Sequence, residues 1–246
     1  MSVHRSGIVE RMNPQLAFVF PGQGSQSYGM LAELAAEHAL IGSVVAEASE
    51  GAGVDLWQIS QNADDDRLNQ TEYTQPALLA ANIALWRVWQ RQGGAQPAVL
   101  SGHSLGEYAA LVAAGALSLK DGAHLVRLRG QFMQAAVPAG TGAMAAVLGA
   151  EDAQVEQVCI ECSNDASAVV AANYNSPGQI VIGGHAEAVE RAIAALQAAG
   201  IRKTVKLAVS VPSHTPLMRD AAVQLQEAIG ALAWQMPDRT IIHNVD

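Results

Sequence analysis

The residues best suited to chemistry lie in a Gly-rich segment near the middle of the chain. Ser104 stands between Gly102 and Gly106 in a G-x-S-x-G pattern, after the apolar pair Val99 and Leu100 and before an Ala-rich helical run. Glycines on both sides permit a tight, strained turn that lifts a serine hydroxyl clear of a strand. The amides that begin the next helix favour negative charge. The segment therefore predicts a nucleophilic Ser104, against the alternative of a chance match in an Ala/Gly-rich chain.

A second Gly-rich segment covers residues 21–26 and follows a short apolar strand predicted at 16–20. Phosphate-binding patterns do not fit it. G-x-G-x-x-G requires a third glycine where the chain has Ser27, and no Lys-Ser or Lys-Thr pair follows, as a P-loop requires. We interpret this loop as a second source of backbone N–H donors.

Arg129 lies on a helix predicted over 119–136. At about 100° per residue it falls within the apolar arc, whereas Arg127 falls on the polar face and is expected to be solvated. A guanidinium on a buried face needs an anion, and no acidic residue lies three or four positions away on this helix. Two interpretations are about equal: an ion pair with a distant carboxylate, or a site for a substrate carboxylate.

His214 is the best candidate for a general base. It sits between Pro212 and Pro216, in a loop where the chain is predicted to return to the first domain. A base must lie on a rigid loop, and histidine is the side chain whose ordinary pKa lies nearest to neutrality. His103 adjoins Ser104 but points elsewhere if the turn forms as predicted.

The order of the elements predicts an α/β fold. Strands and helices alternate through the G-x-S-x-G segment, which favours a hydrolase-like large domain with a mainly parallel sheet flanked by helices, formed by residues 15–138 and 208–246. Residues 141–207 follow a β-α-β-β-α-β order and predict an inserted ferredoxin-like small domain. Residues 1–14 are expected to be a disordered tail. Residues 55–69 read as irregular, and Thr74 as the N-cap of the next helix.

Composition excludes several classes of function. The chain has 246 residues, 50% of them hydrophobic, and a net charge of −9, which argues against nucleic acid as a partner. No apolar run is long enough to cross a membrane and no secretory leader is visible, so a cytoplasmic location is expected. Cys159 and Cys162 form a single C-x-x-C with no second ligand pair, which favours ordinary packing over a metal or redox site.

Five segments together resemble the malonyl-CoA:acyl carrier protein transacylase family of bacterial fatty acid synthesis. They are residues 18–26 (FVFPGQGSQ), 102–108 (GHSLGEY), 127–130 (RLRG), 173–178 (NYNSPG) and 212–214 (PSH). The resemblance runs from about Leu16 to the end of the chain. It implies that Ser104 is the nucleophile, His214 its base and Arg129 the clamp on the malonyl carboxylate. It also implies that the backbone amides of Gln23 and Leu105 form the oxyanion hole.

The implied enzyme is an [acyl-carrier-protein] S-malonyltransferase. It moves malonyl from malonyl-CoA to the phosphopantetheine thiol of an acidic acyl carrier protein through a malonyl-serine ester, with ping-pong kinetics and no metal or redox cofactor. A monomer is expected. The family continues several tens of residues past Asp246, where it would complete the large domain and orient His214. We therefore expect this chain to be truncated, because 240–242 reads as a core strand.

Three other functions would each use part of this pattern. A serine esterase or thioesterase of the α/β-hydrolase type shares G-x-S-x-G but has no use for a buried Arg129. A nucleotide-binding module would not depend on Ser104, and a non-catalytic interaction domain would tolerate changes at both Ser104 and His214.

The basic run at 202–206 either attracts an acidic carrier protein or solvates an edge strand, and the two interpretations are about equal.

Overall fold

The computed structural model describes residues 12–138, 140–207, 209 and 211–245. They form two compact units. The first unit contains the chain up to Leu68, then Thr74–Val126, then the chain from Leu232, and the second contains Asn69–Tyr73 and Arg127–Ala231. The boundaries expected between the large and the small domain stay predictions.

Helices, singly or in groups, separate most of the strands of the described chain. In chain order they are β1 (Asn13–Phe20), α1 (Ala32–Glu37), α2 (Ala39–Ala52), α3 (Leu56–Gln61), a 3-10 turn (Asp66–Asn69), α4 (Thr71–Arg91), β2 (Pro97–Gly102), α5 (Leu105–Ala113), α6 (Leu119–Ala136), β3 (Gly142–Leu148), α7 (Asp152–Glu161), β4 (Val169–Ser176), β5 (Gln179–His185), α8 (Ala186–Ala198), β6 (Lys203–Lys206), a 3-10 turn (Pro216–Met218), α9 (Arg219–Gly230) and β7 (Thr240–Ile242).

The first unit is built on a parallel three-stranded sheet with the order β1-β2-β7. Phe18 pairs with Leu100 and Phe20 with Gly102, while Ser101 pairs with Ile242 on the other side. The central strand β2 is therefore paired on both sides from Val99 to Ser101, and its last residue, Gly102, pairs with β1. The predicted α/β class with a parallel sheet is confirmed.

The start of the fold differs from the predicted tail boundary. The part of the tail prediction that covers residues 1–11 lies outside the described residues. Asn13 and Pro14, however, already belong to β1, and the Asn13 amide donates to the Gln96 carbonyl at 2.7 Å. The boundary at residue 14 is therefore wrong. Backbone pairing with the segment before β2 orders these two residues even though their side chains are exposed.

The stretch between α2 and α4 is more regular than the sequence indicated. α3 forms because the Asp55 carboxylate accepts from the Gln58 amide at 2.9 Å and because Leu56 and Ile59 are buried. Thr74 does not cap α4, which begins three residues earlier; its hydroxyl donates to the Leu68 carbonyl at 2.6 Å. α3 was not predicted because a six-residue helix shows little periodicity. The N-cap prediction at Thr74 is wrong because this residue lies inside α4 and bonds back to the preceding 3-10 turn.

The second unit contains an antiparallel four-stranded sheet with the order β4-β5-β3-β6. Its elements follow as β3-α7-β4-β5-α8-β6, which is the predicted ferredoxin-like arrangement, and that prediction is confirmed. α7 and α8 pack on this sheet. Their shared core consists mainly of aliphatic side chains, among them Val155, Ile180, Ile182, Val189 and Leu196.

The two cysteines are free thiols that lie near the end of α7. Cys159 is buried in the core of the second unit, and this burial raises the pKa of its thiol to about 12. Burial also raises the pKa of the half-buried Cys162 thiol. Both therefore stay neutral near pH 7, which suits packing better than nucleophilic or metal chemistry.

Across the described residues, no helix combines the length and apolar character needed to span a bilayer.

Candidate active site

Ser104 lies at a sharp turn between β2 and α5. β2 ends at Gly102, α5 begins at Leu105, and Ser104 between them has φ 51° and ψ −104°. A positive φ is unusual for a residue with a side chain and carries strain. We call residues 102–106 the serine turn. The turn predicted from the glycine spacing is present, and it places the half-buried Ser104 at the carboxyl end of the central strand.

Two glycines allow this turn because backbone packs directly on backbone. A Cβ atom on Gly102 would lie 2.0 Å from the carbonyl carbon of Gly106. A Cβ atom on Gly106 would lie 2.0 Å from the carbonyl oxygen of Phe20, at the end of β1. Any side chain at either position would force the strand and helix apart, so both glycines in G-x-S-x-G are sterically required.

The loop at residues 21–26, which we call the Gln23 loop, packs against the same turn. A Cβ atom on Gly22 would lie 2.4 Å from the His103 carbonyl oxygen, and the His103 amide donates to the Phe20 carbonyl at 3.0 Å. The buried Asn82 of α4 donates its side-chain amide to the Pro21 carbonyl at 3.1 Å. Both sources of N–H donors expected from the sequence, the Gln23 loop and the start of α5, are thus assembled within the first unit.

Leu105 opens α5, where helix N–H groups have no intrahelical partner and the helix dipole favours an anion. The two amides after it bond back into the turn, Gly106 to the His103 carbonyl at 2.8 Å and Glu107 to the Ser104 carbonyl at 3.1 Å. These bonds set the direction of the peptide planes around Leu105, whose side chain is buried.

One contact to the serine turn has no counterpart in the sequence motifs. The side-chain oxygen of Asn244, in the segment after β7, accepts the Ser104 amide at 2.8 Å. Asn244 was missed because it lies far from Ser104 in sequence and in no pattern with it. The only sequence signal is its position just after a short strand, where parallel neighbours bring their carboxyl ends together.

His214 belongs to the second unit. Its ring is exposed and its backbone has φ 59°, so it lies on a second strained turn. The loop around it is fixed, because the buried Thr215 hydroxyl donates to the Pro212 carbonyl at 2.7 Å and Pro212 packs so closely on Gly142 that a Cβ there would be 2.5 Å away. The predicted rigid loop is therefore present.

Arg129 also belongs to the second unit and is half-buried on α6, near the buried Gly130 and Met133. Arg127 is not the solvated residue that the helix pattern predicted. Its side chain is 22% exposed, its guanidinium stacks 5.7 Å from the centre of the Tyr73 ring and it faces Glu72 at 3.9 Å. The prediction is wrong because these partners come from another segment and cover the polar face.

The structure thus assembles Ser104, Leu105 and the Gln23 loop in the first unit, and places His214 and Arg129 on fixed elements of the second. A serine on a strained turn between a parallel strand and a helix is the arrangement of α/β enzymes that use a serine nucleophile. Residues 17–245 match the family described as acyl transferase domain. The chain belongs to this acyl transferase family.

Three similar proteins share one activity in their names. The malonyl CoA-acyl carrier protein transacylase of Salmonella typhimurium is 53% identical over 94% of this chain and 75% of its own. A crystal structure of malonyl-CoA:acyl carrier protein transacylase from Xanthomonas oryzae is 67% identical, with a TM-score of 0.94 over 96% of this chain and 75% of that one. A solved complex of a type II PKS acyl-carrier protein with its malonyl-transacylase contains a chain that is 49% identical to this one. The TM-score is 0.90, and the match covers 94% of this chain and 74% of that one.

The contact between Gly106 and the Phe20 carbonyl predicts a large stability cost for a single methyl group. Gly106→Ala should lower the free energy of unfolding by about 1–3 kcal/mol or more, because rigid backbone cannot make room. In the control Gly42→Ala, a Cβ on the fourth residue of α2 would meet nothing within 4 Å, so stability should rise by about 0.5–1 kcal/mol. Urea denaturation measures both. Equal effects would contradict the close approach.

Proposed function

We propose that this chain transfers a malonyl group from malonyl-CoA to the phosphopantetheine thiol of an acyl carrier protein, through a malonyl ester on Ser104. The observation that carries the proposal is the strained φ of 51° at Ser104 between β2 and α5, in a chain of the acyl transferase family. The names of the relatives support the malonyl group and the carrier protein. The esterase alternative is not favoured, because the named relatives are transferases.

In the first half-reaction the Ser104 hydroxyl oxygen attacks the malonyl thioester carbon while His214 takes the hydroxyl proton. The backbone amides of Gln23 and Leu105 hold the negative charge of the tetrahedral intermediate. That intermediate collapses to the malonyl-serine ester, and the CoA sulfur leaves as the thiol with the proton from His214. The packing of the Gln23 loop on the serine turn supports this pair of donors, since preorganised N–H groups cost nothing to orient during reaction.

The second half-reaction uses the same groups in reverse. His214 takes the proton of the phosphopantetheine thiol, the sulfur attacks the ester, and the oxyanion forms in the same hole. Collapse returns the proton to Ser104. Every step uses side chains and backbone amides of this chain, so the mechanism calls on no metal or cofactor. A cytoplasmic location and a monomeric state stay predictions from the sequence.

Arg129 is proposed to bind the malonyl carboxylate. Its planar guanidinium can donate two parallel hydrogen bonds to a carboxylate, and its half-buried position on α6 strengthens such a pair relative to one in open water. Arg127 contacts Tyr73 and Glu72. The resemblance of the 127–130 segment (RLRG) and the half-buried position of Arg129 on α6 support Arg129 as the substrate clamp.

Binding of the carrier protein is proposed at the basic edge of the four-stranded sheet. β6 forms one edge, and its lysines Lys203 and Lys206 are exposed. Lys206 forms an ion pair with Glu190 of α8, and this pair partly neutralises the charge that Lys206 can offer to an acidic partner. Because the whole chain carries −9, attraction of an acidic partner has to come from a local patch such as this one.

The proposed nucleophile and base are tested by covalent labelling with radiolabelled malonyl-CoA. Ser104→Ala should abolish the label without unfolding the protein, because the hydroxyl carries chemistry and little packing. His214→Ala should slow both labelling and discharge to carrier protein by about 10²–10⁴, because one base serves both steps. Persistent labelling of Ser104→Ala would overturn the assignment of the nucleophile.

Arg129→Ala should weaken the use of malonyl-CoA far more than that of acetyl-CoA, which lacks the carboxylate. We expect kcat/KM for malonyl-CoA, divided by kcat/KM for acetyl-CoA, to fall by a factor equivalent to about 2–5 kcal/mol. Arg127→Ala is the matched control, and any loss there should be equal for both substrates. An equal loss for Arg129→Ala would show that Arg129 is a structural ion pair.

The basic edge is tested by reversing Lys203 and Lys206 to Glu together. KM for the carrier protein should rise by about threefold or more at low salt and less at high salt, while malonyl labelling stays unchanged. The matched control reverses Arg91 and Lys120 to Glu. It changes the net charge by the same amount as the test variant, and like that variant it breaks one lysine ion pair, here Lys120 with Glu50. The same KM in both double variants would place docking elsewhere.

A further inference from the structure

The segment after β7 is joined to the serine turn. β7 pairs with β2, and the Ser101 hydroxyl donates to the Ile242 carbonyl at 3.0 Å, so the two strands end side by side. The next residues along the chain, His243 and Asn244, therefore pass beside the turn where Ser104 is held. All of these residues belong to the first unit.

Asn244 bonds to three residues of the serine turn and the first turn of α5. Its side-chain oxygen accepts the Ser104 amide at 2.8 Å, and its side-chain nitrogen donates to the Gly102 carbonyl at 2.7 Å. The same nitrogen also donates to Oε2 of Glu107, as does the Asn244 backbone amide at 3.2 Å. One side chain thus spans the turn from its first glycine to the helix that follows.

Glu107 determines which way the Asn244 amide points. An ionised carboxylate only accepts hydrogen bonds, and a backbone N–H only donates them. The Asn244 nitrogen must therefore face Glu107, and its oxygen must face the Ser104 amide. The other carboxylate oxygen of Glu107 lies 2.9 Å from Nδ1 of His243, so Glu107 is itself held from two sides. A flipped Asn244 amide would place its oxygen against two acceptors, the Gly102 carbonyl and Glu107, and its nitrogen against one donor, the Ser104 N–H.

The backbone N–H and the backbone carbonyl of Ser104 are therefore both hydrogen-bonded. Its N–H is held by Asn244, and its carbonyl accepts from the Glu107 amide at 3.1 Å. Rotation about the Ser104 backbone would move the hydroxyl and also the following peptide, which carries the Leu105 N–H. A left-handed backbone relaxes readily unless the surroundings fix it. The same contacts therefore control the direction of the nucleophile and of one proposed oxyanion donor.

We propose that Asn244 is a positioning residue for Ser104, and that Glu107 acts by orienting Asn244. This proposal rests on the proposed function of Ser104 as the acyl acceptor. Neither residue touches the substrate in this role. Their effect is to keep the serine hydroxyl and the Leu105 amide in one fixed arrangement through both half-reactions, so that no reorganisation is needed as charge develops.

The test is single-turnover acylation of Ser104 by malonyl-CoA, measured across substrate concentrations. Asn244→Ala should lower the maximal rate by about tenfold or more, while the half-saturating concentration changes by less than about twofold, because positioning affects the reacting atoms more than binding. Asn244→Asp should be as slow, since its new carboxylate faces Glu107. Glu107→Gln should keep most of the rate, because its side-chain oxygen still accepts from Asn244.

Asn62→Ala is the matched control, because the Asn62 side-chain oxygen makes a local turn contact, accepting the Asp64 amide at 3.1 Å. It should leave the rate unchanged. Circular dichroism at the assay temperature gives the folded fraction of each variant. A rate that falls only in proportion to the folded fraction, or an Asn244→Asp rate equal to that of the parent, would overturn the positioning role.

A second probe separates this inference from the proposed function. A phosphonofluoridate reacts with activated serines whatever their natural substrate, and its rate with Ser104 should fall by a similar factor in Asn244→Ala. If the parent protein reacts with this probe but not with malonyl-CoA, the proposed function fails while the positioning role is still tested. If Asn244→Ala and the parent react equally fast with both reagents, the positioning role fails and the proposed function stands.

Discussion

The structure of the first unit depends on one constraint, the direct contact of three backbone segments around the serine turn. The end of β1 lies against Gly106, Gly106 lies against Gly102, and the loop at Gly22 lies against His103. Contacts of this kind leave no side chain to adjust, so strand, turn and helix must keep one geometry. The strain at Ser104 persists because all of its neighbours are fixed in this way.

Local rules are enough to predict much of this arrangement. A serine flanked by glycines between an apolar strand and an Ala-rich helix specifies a turn that only glycine permits, and the turn is found at Ser104. α6 has the predicted bounds, Leu119–Ala136, since its caps and periodicity are local properties. The ferredoxin-like order of the second unit follows in the same way from short, well-separated elements.

Features set by distant parts of the chain were not predictable in this way. The polar face of α6 marks Arg127 as solvated, yet Tyr73 and Glu72 from another segment cover it. Asn244 contacts the Ser104 amide across 140 positions of sequence. A single sequence carries no record of such pairs, because each partner satisfies only its own local pattern. Short elements such as α3 were missed for the opposite reason, since six residues hold too little pattern.

The two sheets differ in the sequence separation between the strands that pair in them. β3, β4, β5 and β6 follow one another between Gly142 and Lys206, joined by short helices and a tight hairpin, whereas β2 pairs with β7 only after the whole second unit has been made. Distant pairings close large loops and form slowly. During synthesis the antiparallel sheet can therefore be complete while β2 still has an open edge, and Ser104 acquires its final backbone contact last.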